Sequence, residues 1–117
     1  MSKKFENLNS WKFAKELAVF VYEITDRYPS KEQFALTSQT TRAVVSIAAN
    51  IAEGTSRSSK KDFYHFLEIA IGSAFELETL IIIAFERKYI NQQEKNKIDE
   101  SIQTTEKLIN GLKRSLK

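Results

Sequence analysis

The sequence predicts an all-α fold, an antiparallel bundle of four helices running up, down, up and down. Three observations predict it. Glycine and proline are scarce, three and one in 117 residues, which argues against turn-rich β structure and for long uninterrupted helices. Four segments repeat apolar residues at steps of three and four, the period of a helix with one buried face. The links between those segments are short, and short links between long helices force antiparallel neighbours. The whole chain, 1–117, reads as one domain without internal repeat, linker or low-complexity tract.

The first helix is predicted over about 10–28, with Asn9 or Ser10 as its cap. Phe13, Leu17, Phe20 and Ile24 form one apolar stripe, and Trp11, Ala14, Ala18 and Val21 a second beside it. Pro29 ends the segment, because the residue before a proline avoids helical geometry. The second helix is predicted over 31–53, with Ser30 as a cap candidate and Gly54 as the stop, a residue that reaches the left-handed region without strain. Leu36, Ala43, Ile47 and Ile51 supply its stripe, flanked by Val44, Ala48 and Ala52.

The third helix is predicted over 59–88. Ser59 and Asp62 have the spacing of a capping box. Phe63, Leu67, Ala70, Ala74, Leu77, Ile81 and Ala84 then make an unbroken heptad-like seam. The fourth, over 91–116, opens with Asn91 and Glu94 at the same capping spacing and continues through Ile98, Ile102, Thr105, Ile109, Leu112 and Leu116.

The third helix also carries more apolar surface than a lone bundle needs. Leu80 to Phe85 is apolar around the whole helix circumference, whereas each helix of an isolated bundle has an outward face. Phe75, Ile82, Ile83 and Phe85 are therefore expected at contacts between copies of the chain.

Composition narrows the function classes. Apolar residues make up 42% and charged ones 28%, the balance of a globular protein. The absence of cysteine removes disulfides, thiolate zinc sites and cysteine nucleophiles. MSKKFENLNSWKF has no apolar core of signal-peptide length, and no apolar run is long enough to span a bilayer, so the expectation is a cytoplasmic protein with no membrane partner. The net charge of +3 allows a nucleic-acid or acidic partner without demanding one. The positive excess lies towards the two ends of the chain and in the Arg57, Lys60, Lys61 cluster.

Two groups of polar residues stand out. Arg42, Ser46, Asn50 and Glu53 share one edge of the second helix, and Gly72, Ser73 and Glu76 make a matching stripe on the third. These residues are expected to fix register by hydrogen bonding across a helix or subunit contact. Arg42 would then reach Glu16 or Glu23 on the first helix, or a carboxylate across an interface, and Gly72 would allow a close helix approach. A ligand site is the competing reading of the same stripe.

The turn from Gly54 to Lys61 ends at a helix start, where free N–H groups and the helix dipole favour an anion. Arg57, Ser58, Ser59, Lys60 and Lys61 could donate to phosphate oxygens. On a lone monomer this would be a solvated cap. Repeated around an oligomer it becomes a basic array suited to nucleic acid. Lys113, Arg114 and Lys117 are the next candidates. The P-loop spacing GxxxxGK is absent. His65 is the one histidine, so its i, i+3 pairing with Asp62 cannot be repeated as a di-iron bundle requires. No enzymatic activity, metal or cofactor is expected.

Read through Ser46, Asn50-Ile51-Ala52-Glu53-Gly54, the basic turn and Gly72-Ser73 with Glu76-Leu77-Glu78, the chain resembles a known family. These are the bacterial four-helix bundle proteins first noticed as open reading frames within intervening sequences of large-subunit ribosomal RNA genes. The likeness extends over nearly the whole chain, from Phe5, Leu8 and Trp11 through Leu36-Thr37-Ser38-Gln39, Arg42-Ala43, Lys61, Phe63, Phe66-Leu67 and Ala70. Thr41 stands where the family often has arginine, and Ala48 where it often has proline. The resemblance implies an up-down bundle assembled as a ring-shaped homopentamer, with a role in binding RNA or DNA and no enzymatic activity. A more distant likeness is to the accessory protein of diversity-generating retroelements, a basic oligomeric partner of a reverse transcriptase and nucleic acid. The expected function is therefore a small oligomeric nucleic-acid-binding protein, structured RNA above all, acting through the basic turn with non-specific phosphate contacts. The alternative is an oligomeric scaffold that presents its surface to a nucleic-acid enzyme and has little affinity for nucleic acid itself.

Overall fold

A computed structural model describes residues 3–117; Met1 and Ser2, the first residues of the N-terminal stretch read above, lie outside the described residues. Four helices follow in order: α1 Asn9–Thr25, α2 Leu36–Thr55, α3 Lys60–Glu86 and α4 Gln92–Ser115. Short 3₁₀ turns precede α1 at Lys4–Asn7 and α2 at Ser30–Glu32. The bundle is a rod of 43 × 24 × 23 Å. α1 packs on α2 and α4, and α3 packs on α2 and α4, so the helices occupy the corners of a square. The α2–α3 contact is the most extensive.

The periodic stripes become the core. The α3 seam from Phe63 to Ala84 is buried at every predicted position, and Ile98, Ile102, Thr105 and Ile109 bury the facing side of α4. On α1 the buried line is Ala14, Leu17, Val21 and Ile24. It runs between the two stripes read from the sequence and leaves Phe13 39% exposed. A helix beside two neighbours buries the bisector of its apolar arc, and the edge residue stays wet.

Several boundaries differ from expectation. Leu8, not Asn9 or Ser10, holds the cap position of α1, no side chain caps it, and Ser10 is buried. α1 ends at Thr25 in a tight turn, with Tyr28 N–H donating to Thr25 O at 3.0 Å. That turn swings the Tyr28 ring into the core, 5.4 Å from the Tyr89 ring. Ser30 caps nothing: α2 begins only at Leu36, whose N–H donates to the Glu32 carboxylate at 3.3 Å. Pro29 and the 3₁₀ turn use up the chain between. α3 and α4 agree with expectation to within two residues at each end. The Ser59 hydroxyl accepts from Asp62 N–H at 3.1 Å, and Asn91 and Glu94 form a complete capping box. Lys88, at φ 65°, takes the left-handed position that stops α3.

Neither glycine plays the role expected of it. Gly54 does not stop α2; it lies inside the helix, buried, and the stop comes at Ser56. A Cβ at Gly54 would meet Phe63 Cδ1 at 2.8 Å and Phe66 Cβ at 3.0 Å, so this glycine is what lets α3 cross close to α2. Gly72 faces open space, with nothing among the described residues within 4 Å of a Cβ there, and so serves no close approach between them. Gly54→Ala is accordingly expected to destabilise the fold by about 1–3 kcal/mol through overpacking. Gly72→Ala should instead add up to about 1 kcal/mol of helix propensity. Thermal unfolding of both variants checks the pair; a neutral Gly54→Ala would contradict the close crossing.

A second prediction arises where α3 meets α4. Burial pushes the Glu106 carboxyl up to about 8, and the hydrogen bond and charge of Glu78 add to the rise. Among the described residues Glu106 Oε2 is buried without a hydrogen-bond partner, so the neutral carboxyl is favoured there over the charged one. The folded chain therefore holds a proton that the unfolded chain releases near the ordinary value of 4.5. Between these values the native state binds more protons than the unfolded one, so stability falls as pH rises through the window. Glu94 and Glu32 are shifted the other way, chiefly by the Asn91 backbone N–H and the Tyr89 hydroxyl respectively, so they act at lower pH. The melting temperature should decline from about pH 5 to pH 9, and Glu106→Gln should flatten that decline. An unchanged slope in the variant would contradict the raised Glu106 carboxyl.

Candidate nucleic-acid interface

α3 has 27 residues and α4 has 24, so the two antiparallel rods are nearly the same length, about 36–40 Å. Equal length brings the end of α4 beside the start of α3. The basic residues of both helix ends therefore share one end of the bundle, next to the Ser56–Ser59 link and the 3₁₀ turn before α1.

Tyr64 sits at the centre of this end, half-buried on the second turn of α3. The ammonium groups of Lys113 and Lys117 lie 5.1 and 5.8 Å from its ring centroid. A shallow hollow is lined by Lys60, Lys61, Tyr64, Leu116 and Lys117. Nearby, the Lys4 ammonium lies 5.7 Å from the Phe63 ring. Among the described residues, Lys60, Lys61, Lys113 and Lys117 make no ion pair. The acids of this end are Glu6, Glu53 and Asp62.

The expected turn residues divide. Lys60 and Lys61 are exposed and available. Ser58 is exposed too, while Ser59 is committed to the α3 cap. Arg57 is engaged: its guanidinium donates to Glu53 Oε1 at 3.0 Å and lies 4.6 Å from the Phe66 ring centroid. An exposed pair of this kind is worth only tenths of a kcal/mol, so Arg57 is held in place without being buried. Tyr64 escaped the sequence reading. Its signal was the i, i+4 spacing from Lys60, which gains meaning only beside Lys113 and Lys117.

The polar stripes meet as expected in one place and not in another. Ser46 and Ser73 join α2 to α3 through an Oγ–Oγ hydrogen bond of 2.8 Å. Asn50 donates to Ser46 O at 2.8 Å and to Ser46 Oγ at 2.9 Å, which satisfies a polar side chain beside the apolar stripe. Arg42 pairs with neither Glu16 nor Glu23; it turns to the α3 side of α2 and borders a hollow with Gln39, Ser46 and Glu76. Glu53 is taken by Arg57.

Of the residues expected between subunits, Phe75 is 62% exposed, Ile82 46% and Ile83 43%. Phe85 differs: it packs against the chain's own core, with the Lys95 ammonium 5.8 Å from its ring centroid. Phe34, between the 3₁₀ turn and α2, is 91% exposed and was not anticipated. On the far side of the bundle, Trp11, Ala18, Val19, Tyr22, Val45 and Ala48 line an apolar groove between α1 and α2.

Among the described residues no group of three or more His, Cys, Asp or Glu side chains is placed to hold a metal ion, and His65 lies on the surface beside Phe66. Among them, too, no helix is long and apolar enough to cross a membrane.

No curated protein sequence matches the chain. Among solved structures, it is similar to a protein with unknown function from the S23 ribosomal protein family from Bacteroides thetaiotaomicron. The two are 24% identical, with a TM-score of 0.83 over 90% of this chain and 95% of that one. That likeness speaks for the fold. A family model described as 23S rRNA-intervening sequence protein matches residues 6–111, nearly the full bundle from the first 3₁₀ turn to the last turns of α4. The chain belongs to the 23S rRNA-intervening sequence protein family.

Proposed function

We propose that this chain is a self-associating nucleic-acid-binding protein of the cytoplasm, without enzymatic activity, that grips the phosphate backbone with the basic end of its bundle. The observation that carries the reading is the convergence of Lys60 and Lys61 from α3 with Lys113 of α4 and Lys117 just past its end around Tyr64. Unpaired ammonium groups on one end of a rod are phosphate ligands in waiting. RNA is the first polymer to test, since the family is described by an rRNA intervening sequence.

Self-association multiplies the site. The exposed Phe34, Phe75, Ile82 and Ile83 give apolar area for it. Contacts between unlike surfaces close into rings when the rotation permits, and a ring of five is the count that the resemblance implies. Each copy adds one basic end, and weak single contacts become avidity. A mobility-shift titration of wild-type protein with RNA and DNA at low salt tests the reading. Binding that weakens steeply with added salt supports it, because each neutralised phosphate releases counterions. No shift with either polymer at low salt overturns it.

The apolar α1–α2 groove favours a second reading, a scaffold that holds a protein partner there. That reading gains if nucleic acid fails to bind and a partner is retained through Val19 and Val45.

A further inference from the structure

We propose that the basic end selects unpaired nucleotides, with Tyr64 as a stacking platform for a base and the surrounding lysines as ligands of the flanking phosphates. The inference rests on the nucleic-acid reading above and narrows it to single-stranded segments.

A purely electrostatic site needs no aromatic ring. Here the ring stands among Lys60, Lys61, Lys113 and Lys117 at the edge of an open hollow. Aromatic faces interleaved with cations are the pattern by which single strands are held, since every unpaired base offers a π-face. A duplex hides those faces in its own stack and presents phosphates only, so it would use the lysines and leave Tyr64 idle.

The ring is covered at present by the ammonium groups of Lys113 and Lys117. This cover is weak: an exposed cation–π contact is worth less than the stacking of a base on an aromatic ring. The lysine stems are flexible, and Lys117 is exposed at the end of the chain. An arriving base can displace both ammonium groups from the ring, and each then finds a phosphate oxygen of the same strand. The exchange trades two weak contacts for one stack and two charge-assisted hydrogen bonds.

The competing account makes Tyr64 a clasp that fastens the end of α4 to α3. Binding by the full chain to a labelled oligouridine and to an RNA duplex of equal length separates the two. On the stacking account Tyr64→Ala weakens oligouridine binding by about five- to a hundredfold. Duplex binding and the melting temperature stay near wild type. Tyr64→Trp keeps oligouridine binding and adds a tryptophan whose fluorescence the bound bases quench. Equal losses on both RNAs, or a fall in melting temperature that accounts for the loss, overturn the stacking site in favour of the clasp. Unchanged binding of both RNAs by Tyr64→Ala overturns it while leaving phosphate binding intact. Failure of wild-type protein to bind either RNA at low salt removes the nucleic-acid reading and this inference with it.

Discussion

Replacing Ile82 and Ile83 together by aspartate is expected to leave a helical monomer where the wild-type chain sediments as an oligomer. Within one chain these side chains are 46% and 43% exposed, so two aspartates cost a lone bundle about 1 kcal/mol of helix propensity and about 1–2 kcal/mol of lost apolar burial. In a subunit contact the same change buries unpaired carboxylates, at roughly 3–5 kcal/mol for each charge left without a partner. The larger loss falls on assembly. Sedimentation equilibrium at tens of micromolar reads it, with circular dichroism as the check on folding. Wild-type protein that sediments as a monomer would sink the idea, as would a double variant of wild-type size. Phe85 makes a control: it packs on the core of its own chain, so Phe85→Ala should lower thermal stability before it alters size.

Changing Lys60, Lys61, Lys113 and Lys117 to alanine should carry the largest effect on nucleic-acid binding. Each lysine that meets a phosphate contributes about 0.7 to the slope of log affinity against log salt for a single strand. Loss of the cluster should therefore remove roughly 3 from that slope per chain and abolish binding at physiological salt. Assembly and helicity should persist, since these side chains lie on the end of the rod. Arg57→Ala is the companion variant. Its guanidinium is occupied by Glu53 and Phe66, so its loss should matter less than that of any free lysine. An Arg57→Ala variant as defective as the lysine variant would shift the site back onto the Ser56–Ser59 turn. Retained binding by the lysine variant would remove the basic end from consideration.

Much of the architecture was legible because its determinants are local. The seam from Phe63 to Ala84 needs only the 3.6-residue period to be recognised, and the period itself states which side faces inward. The capping box at Asn91 and Glu94 is legible for the same reason: four consecutive positions carry the whole signal. The start of α2 was less legible. Its first N–H is met by the carboxylate of Glu32, outside the helix at the end of a 3₁₀ turn, a geometry that no cap preference at Ser30 encodes. The need of Asn50 for hydrogen-bond partners was legible in outline, as a polar edge, but the relay through Ser46 to Ser73 depends on how α2 and α3 are rotated against each other.

By itself, the sequence determined the number of helices, their approximate lengths, their buried faces and the family, since periodicity, caps and short motifs are properties of neighbouring residues. Only the tertiary structure decided which glycine allows the close crossing, because a Cβ clash at Gly54 depends on Phe63 and Phe66 in another helix. It alone turned Arg42 away from α1. It also decided that Lys113 and Lys117 reach Tyr64 and thereby make one basic end from two distant segments. The physical reason is common to all three. A contact between helices is set by the rotation and axial register of two rods, and no residue-to-residue spacing within either rod records how the other lies beside it.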